Sequence, residues 1–169
     1  PLQKAAEQVV NTQAKILSES RTNNVAALIA EVNTGRVLVY IGNRPDPMGN
    51  QQGYVNNITS ARSTASLLKP FLYAAMLDRG ELLPDQLLPD VPTQFRDYAP
   101  TNASGQYWGA VPAGLALAAS LNVPAVRLLQ QYGTHNFLVL LRDLGLSSMR
   151  HDADHYGLSL ILGGGECSL

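Results

Sequence analysis

Apolar residues recur at helical and then at strand-like spacing in the N-terminal part of the chain. From Leu2 to Ser20 they recur every three to four positions among polar residues, which predicts an amphipathic helix. Two runs rich in β-branched residues follow, residues 25–32 and 36–42, and residues 33–35 between them end in the glycine typical of a hairpin turn. We therefore expect a β-hairpin with the first helix lying on it.

The middle of the chain alternates between irregular segments and one helical segment. Residues 43–60 are crowded with Asn, Gln, Gly and Pro, which predicts a loop. Helical spacing returns over residues 66–79, where Gly80 provides the stop and Pro70 falls in the first turn, which tolerates it. Prolines then interrupt residues 82–108 and predict an extended, turn-rich excursion. Long connections of this kind are usually functional.

The C-terminal half has the pattern of several short helices. Apolar periodicity predicts three of them, over residues 113–119, 124–132 and 134–144. Residues 120–122 connect the first two. Residues 157–162 form an apolar segment whose type the periodicity leaves open, and three glycines follow it. The whole pattern predicts an α+β fold in which helices pack on an antiparallel sheet.

Composition narrows the possible partners. The 169 residues include 46% hydrophobic side chains, which is enough for the core of one domain. Twelve basic and thirteen acidic side chains give a formal net charge of -1, so the chain carries no electrostatic footprint for a nucleic acid or an anionic membrane. The longest apolar runs are far shorter than the roughly 20 residues that span a bilayer. The single cysteine leaves the cellular compartment open.

Two short motifs carry the candidate chemistry. Lys69 follows Ser66 by three positions, so both lie on one face of a helix. A lysine made neutral by burial can take the proton of the serine hydroxyl, which then becomes an acyl acceptor. Ser120 offers a hydroxyl for onward proton transfer, and Asn122 offers an amide that can hold Lys69 or a substrate. We expect four apolar neighbours to bury Lys69, namely Leu67, Leu68, Phe71 and Leu72. A capping serine with a solvated lysine would produce the same Ser-x-x-Lys pattern.

Three segments together resemble the class A penicillin-binding proteins. They are residues 62–73 (RSTASLLKPFLY), residues 120–126 (SLNVPAV) and residues 156–164 (YGLSLILGG). The resemblance extends from about residue 25 to the C-terminus. It implies a β-lactamase/transpeptidase-like fold in which Ser66 is the nucleophile, Lys69 its base, and Ser120 and Asn122 the second-motif pair. It implies no cofactor and no metal.

The reaction that the resemblance implies is D,D-transpeptidation. Ser66 would attack the penultimate D-Ala carbonyl of a peptidoglycan stem peptide, and an amine from a neighbouring stem would resolve the acyl-enzyme. β-Lactam antibiotics would acylate the same serine. The family also implies the periplasmic face of a bacterial inner membrane, with an anchor outside these residues. A D,D-carboxypeptidase or β-lactamase, and a non-catalytic β-lactam sensor or scaffold domain, stay open as alternatives.

The chain departs from the family pattern in two places. One is the glycine that usually precedes the nucleophile, and the other is a third motif, Lys-Thr-Gly or Lys-Ser-Gly. Ala65 stands where the family usually has glycine, and an alanine adds strain if that position needs a positive φ. No lysine of the sequence begins a Lys-Thr-Gly or Lys-Ser-Gly triplet. We therefore expect residues 1–169 to be the N-terminal and central part of one transpeptidase domain, without its C-terminal strands. This fragment would need the missing C-terminal part as a partner and would be poorly active alone.

Two further patterns admit simpler interpretations. His151 and His155 are spaced i,i+4 with carboxylates between them, which suits either a shared metal or a solvated polar turn. The glycines at 163–165 precede Glu166 rather than the Lys-Ser/Thr of a phosphate-binding loop, so they predict a tight turn.

Overall fold

The computed structural model describes residues 1–20, 22, 24–44, 54–96 and 98–169. The chain divides into two compact units, Pro1–Ala61 with Ser168–Leu169, and Arg62–Cys167. Both helices and antiparallel strands are present, so the α+β class is confirmed. Part of the loop predicted at residues 43–60 lies outside the described residues, at positions 45–53.

The first unit is a helix on a hairpin, as expected. Helix α1 spans Leu2–Glu19, and strands β1 (Ala27–Ala30) and β2 (Val37–Ile41) pair in antiparallel orientation. Both strands are shorter than the apolar runs that predicted them. The small core of this unit contains the buried residues Val10, Val39 and Ile41. Because the first of these lies on α1 and the other two on β2, the apolar stripe of the helix covers the hairpin.

The second unit contains the remaining helices. These are α2 (Lys69–Asp78), α3 (Ala113–Ala118), α4 (Asn122–Tyr132), α5 (Thr134–Asp143) and α6 (Ala153–Tyr156). The three helices predicted after residue 112 are thus confirmed, with ends within two residues of the expected ones. The apolar segment of undecided type is a 3₁₀ turn, Gly157–Leu162.

The helix predicted to begin at Ser66 begins later. Residues Ala65–Leu68 form a 3₁₀ turn, and α2 starts at Lys69. Pro70 explains the difference, because it lacks the N–H that would donate to the Ser66 carbonyl in an α-helix. The N–H of Lys69 donates to that carbonyl instead, which closes the tighter turn.

The second unit also contains two small antiparallel pairs. Strand β3 (Arg62–Ser63) pairs with β6 (Glu166–Cys167), and β4 (Leu87–Asp90) pairs with β5 (Gly109–Pro112). Strand β4 lies in the excursion that was expected to be irregular, and Pro89 within it is a poor strand former. With the hairpin, the described residues form three two-stranded sheets.

Helix α4 is the centre of the larger core. It contacts α2, α3 and α5 as well as β4 and the 3₁₀ turn Gly157–Leu162. The buried residues of α4 are Val123, Pro124, Ala125, Val126, Leu128, Leu129 and Tyr132. A helix covered on so many sides has a fixed position, and its N-terminus carries Asn122.

Candidate active site

Ser66 is half-buried in the 3₁₀ turn before α2. Side chains three residues apart eclipse each other in such a turn, so the side chains of Ser66 and Lys69 project from the same side. Within the described residues, the hydroxyl of Ser66 makes no hydrogen bond. It is therefore available to another reactant, although the structure does not join it directly to the lysine amine.

Lys69 is buried in the second unit, with 1% of its surface exposed. Leu68 and Leu72 are buried, as expected from the sequence. The expectation was wrong for Leu67 and Phe71, which are 68% and 41% exposed and lie on the outer face of the turn and helix.

The lysine amine contacts both predicted residues of the second motif. Lys69 Nζ donates to the carbonyl of Ser120 at 2.7 Å, to Ser120 Oγ at 3.2 Å and to Asn122 Oδ1 at 2.7 Å. Three acceptors match the three N–H bonds of an ammonium group. The structure thus brings Lys69, Ser120 and Asn122 into one hydrogen-bonded group, with Ser66 one helical turn away along the chain.

Burial makes proton loss from this amine easier. It lowers the pKa of Lys69 from its ordinary 10.5 to about 8, because the charged form loses its hydration. At pH 7 the neutral fraction is then about 300-fold larger than for an ordinary lysine. A neutral amine keeps two N–H donors and gains a lone pair that accepts a proton from a hydroxyl.

Ser120 occupies a position that usually belongs to glycine. Its φ of 52° is left-handed, its N–H donates to the Leu117 carbonyl, and the N–H of Leu121 donates to the Ala116 carbonyl. This is the Schellman ending of α3, in which glycine is favoured at the left-handed position. Glycine has no hydroxyl, whereas Ser120 presents both its carbonyl and its hydroxyl to the same amine. Strained backbone of this kind is concentrated at functional sites.

Ala65 also occupies a position that favours glycine. Its φ is 46°, the positive value at which an alanine is strained. The turn around it is held by the glycine triplet. Ser63 Oγ donates to the Gly163 carbonyl at 2.7 Å, and the N–H of Thr64 donates to the Gly165 carbonyl at 3.1 Å. The triplet therefore forms a tight turn, as predicted, and it also supports the segment that carries Ser66.

Sequence reasoning missed the residues behind Asn122. Asn122 Nδ2 donates to the Thr101 carbonyl at 2.8 Å, and the N–H of Asn122 donates to Asn102 Oδ1 at 2.8 Å. Both partners lie in the excursion between α2 and α3. The only sequence signal was the length of that excursion, which indicated function without indicating which residues.

His155 lies in helix α6, and His151 lies just before it. The rings of His151 and His155 stack with their centroids 4.0 Å apart, and Asp152 Oδ1 accepts from the N–H of His155 at the start of α6. Within the described ranges, no group of three His, Cys, Asp or Glu residues is arranged to hold a metal ion. None of the helices in those ranges is long and apolar enough to cross a bilayer.

The motifs and the fold both have counterparts in known proteins. Penicillin-binding protein 1C of Escherichia coli is 36% identical over 147 residues, which are 87% of this chain and 19% of that protein. Within the class A penicillin-binding proteins, the motif segments of the sequence resemble penicillin-binding protein 1C in particular, and this relative confirms that resemblance. Penicillin-binding protein 1F of Bacillus subtilis is 31% identical over 166 residues, which are 98% of this chain and 22% of that protein. The chain thus spans about a fifth of the length of these relatives.

A solved structure supports the same fold. The PonA1 protein of Mycobacterium tuberculosis, solved in complex with penicillin V, superposes with a TM-score of 0.75 at 21% identity and covers 98% of this chain and 45% of that one. The family model described as penicillin binding protein transpeptidase domain matches residues 25–160, which include Ser66, Lys69, Ser120 and Asn122. The chain belongs to the penicillin-binding protein transpeptidase domain family.

Proposed function

We propose that this chain carries the acyl-transfer site of a serine D,D-transpeptidase, with Ser66 as nucleophile and Lys69 as its base. The observation that carries the proposal is the buried amine of Lys69, which Ser120 and Asn122 hold and which belongs to the residue three positions after Ser66. A buried lysine with a lowered pKa, one turn along the chain from a serine hydroxyl, suits nucleophilic catalysis.

The acylation step follows from this arrangement. Ser66 Oγ forms a bond to the carbonyl carbon of the penultimate D-Ala, and its proton passes to the neutral amine of Lys69. The peptide C–N bond then breaks, and the departing D-Ala amine takes a proton. Ser120 Oγ accepts a hydrogen bond from Lys69 when the lysine is charged and can donate to it when neutral, so it suits this onward transfer.

An amine from a second peptidoglycan stem peptide completes the reaction. It forms an amide bond with the acyl carbon and releases Ser66 with its proton restored. β-Lactams would react by the first step only, because the ring C–N bond breaks while the leaving nitrogen stays attached to the acyl group. The periplasmic face of a bacterial inner membrane, where stem peptides are cross-linked, is the compartment that fits this reaction.

We further propose that residues 1–169 are the N-terminal and central part of one transpeptidase domain, whose helices pack on an antiparallel sheet in the intact protein. The sequence has no Lys-Thr/Ser-Gly triplet, which in the family supplies an oxyanion-hole N–H. Loss of one such donor costs about 100- to 1000-fold in rate. Acylation of the isolated chain is therefore expected to be slow.

A second candidate is a β-lactam sensor or scaffold that is acylated once without turnover. Counting D-Ala released per chain over many equivalents of a stem-peptide substrate distinguishes the two. Release far beyond one equivalent, with an amide product when an acceptor amine is present, supports transpeptidation. A D,D-carboxypeptidase or β-lactamase would instead transfer the acyl group to water in the presence of the acceptor.

The experiment that tests the proposal is long incubation with benzylpenicillin, followed by intact-mass measurement and peptide mapping. The expected adduct has the mass of the whole β-lactam and lies on Ser66. The S66A variant should lose it, whereas S147A, which removes an exposed hydroxyl far along the sequence, should keep it. An adduct on another residue, or no adduct at millimolar β-lactam, would contradict the proposal.

A further inference from the structure

A buried pair of polar side chains lies behind the second motif. Asp90 at the end of β4 is fully buried, and Asn102 in the following excursion is 4% exposed. Asn102 Nδ2 donates to both carboxylate oxygens of Asp90, at 2.8 and 3.0 Å, and the N–H of Trp108 donates to Asp90 Oδ2 at 2.8 Å. A buried carboxylate is costly unless it is hydrogen-bonded. These bonds therefore fix the position of Asn102.

Asn102 caps a helix that lacks a cap of its own. The residue before α4 is Leu121, whose side chain cannot accept a hydrogen bond. Asn102 Oδ1 accepts from the first two N–H groups of the helix, those of Asn122 at 2.8 Å and Val123 at 3.4 Å. The third position is Pro124, which has no N–H. One side chain from a distant segment thus satisfies the free donors of this first turn.

The same segment fixes the orientation of the Asn122 amide. Asn122 Nδ2 donates to the carbonyl of Thr101, and this leaves Oδ1 directed at the amine of Lys69 at 2.7 Å. A flipped amide would place its N–H groups against an ammonium donor. Residues 101 and 102 therefore determine both where Asn122 lies and which atom it presents to Lys69.

We propose that Asn102, held by Asp90, is a positioning residue for acyl transfer, because it fixes Asn122 and thereby the amine of Lys69. The catalytic part of this inference rests on the function proposed above. Asn102 would act through Asn122 and not on the substrate. Its loss should lower the acylation rate at saturating β-lactam and leave the concentration dependence unchanged.

A double substitution separates positioning from simple loss of stability. In N102D, two carboxylates would face each other, and in D90N the amide introduced at position 90 would direct its own N–H groups at those of Asn102. In the exchanged pair D90N/N102D, the carboxylate introduced at position 102 again accepts from the start of α4, while the amide introduced at position 90 donates to it and accepts from Trp108. The bond that Asn102 Nδ2 donates to the Gln106 carbonyl at 2.9 Å is lost in this pair, because a carboxylate has no N–H. The exchanged pair should therefore recover part of what each single variant loses.

The first readout is the titration of Lys69, followed by NMR in protein labelled with ¹³Cε-lysine. The sequence contains only three lysines, so the Lys69 signal is identified by its absence in K69M. In N102D and D90N the Lys69 midpoint should move down by about one pH unit, because the ammonium loses an acceptor. The second readout, acylation of Ser66 at about pH 9.5, where Lys69 is mostly neutral in wild type and in every variant, should fall about 10-fold or more. Both should return toward the wild-type values in D90N/N102D.

The matched control is N136A, which removes an asparagine bond to the Tyr132 carbonyl at the opposite end of α4. It should lower the melting temperature without changing either readout. The inference is overturned if N102D and D90N lower only the melting temperature, or if the exchanged pair recovers neither readout. If wild-type Ser66 is never acylated, the proposed function fails, whereas the Lys69 titration still tests the positioning.

Discussion

Burial of the Lys69 amine should make the folded chain more stable as the pH rises through the alkaline range. The pKa of Lys69 is about 8 in the folded chain and 10.5 in the ordinary state expected after unfolding. Between these values the unfolded chain still holds a proton that the folded chain has released. Stability therefore rises with pH in this window, and below it the cost of burying the charge is fully present.

The size of the effect follows from the shift. A difference of one pKa unit corresponds to about 1.4 kcal/mol, so the folded chain should gain about 3 kcal/mol between pH 7 and pH 11. Burial also raises the pKa of Tyr73, which works in the opposite direction at high pH. The comparison with K69M removes this contribution, because Tyr73 is present in both proteins.

Urea unfolding followed by the fluorescence of Trp108 measures the gain, since this sole tryptophan lies in the same unit as Lys69. The unfolding free energy of wild type minus that of K69M should rise by about 3 kcal/mol between pH 7 and pH 11. The variant K15M, which removes an exposed lysine, should keep the wild-type rise. If the unfolding free energies of wild type and K69M changed with pH in parallel, the buried amine would titrate like an ordinary lysine, and the reasoning would be refuted.

Three further predictions concern backbone conformation. A65G should raise the unfolding free energy by about 1 kcal/mol, since glycine adopts the left-handed φ without strain; a loss in urea unfolding would contradict this. S120G should be about 1 kcal/mol more stable than S120A for the same reason. Both variants should be acylated more slowly than wild type, as followed by mass spectrometry. G163A should cost about 3 kcal/mol, because its Cβ would lie 2.8 Å from Ala65 N, whereas G105A, with open space at φ 69°, should cost about 1 kcal/mol. Equal melting temperatures of G163A and G105A would contradict the close contact between Gly163 and Ala65.

Local patterns were sufficient to predict much of the fold. Helix α1, the hairpin and helices α3 to α5 were predicted because their apolar spacing and glycine stops act over a few residues. Strand β4 was missed because Pro89 and Asp90 oppose strand formation locally. The strand exists because it pairs with β5, which lies about twenty residues further along the chain. Such a pairing depends on tertiary contacts that no local pattern encodes.

The same distinction applies to the candidate site. The spacing of Ser66 and Lys69, and the Ser-x-Asn motif, pointed to a group that the structure partly assembles around the lysine amine. The apolar spacing predicts a helix start at Ser66, whereas the α-helix starts at Lys69, because Pro70 has no N–H to donate to the Ser66 carbonyl. Asp90 and Asn102 could not be found from the sequence, since their importance comes only from contacts with α4.

The central claim is that the Lys69 amine serves as the base for Ser66. Its most direct test is the pH dependence of Ser66 acylation by benzylpenicillin, measured by intact mass with the adduct mapped to Ser66. The rate should rise about tenfold per pH unit below pH 8 and level off above it, following the neutral form of an amine with a pKa of about 8. A rate that is constant from pH 6 to about 9.5, or that keeps rising to the ordinary lysine value of 10.5, would contradict the claim.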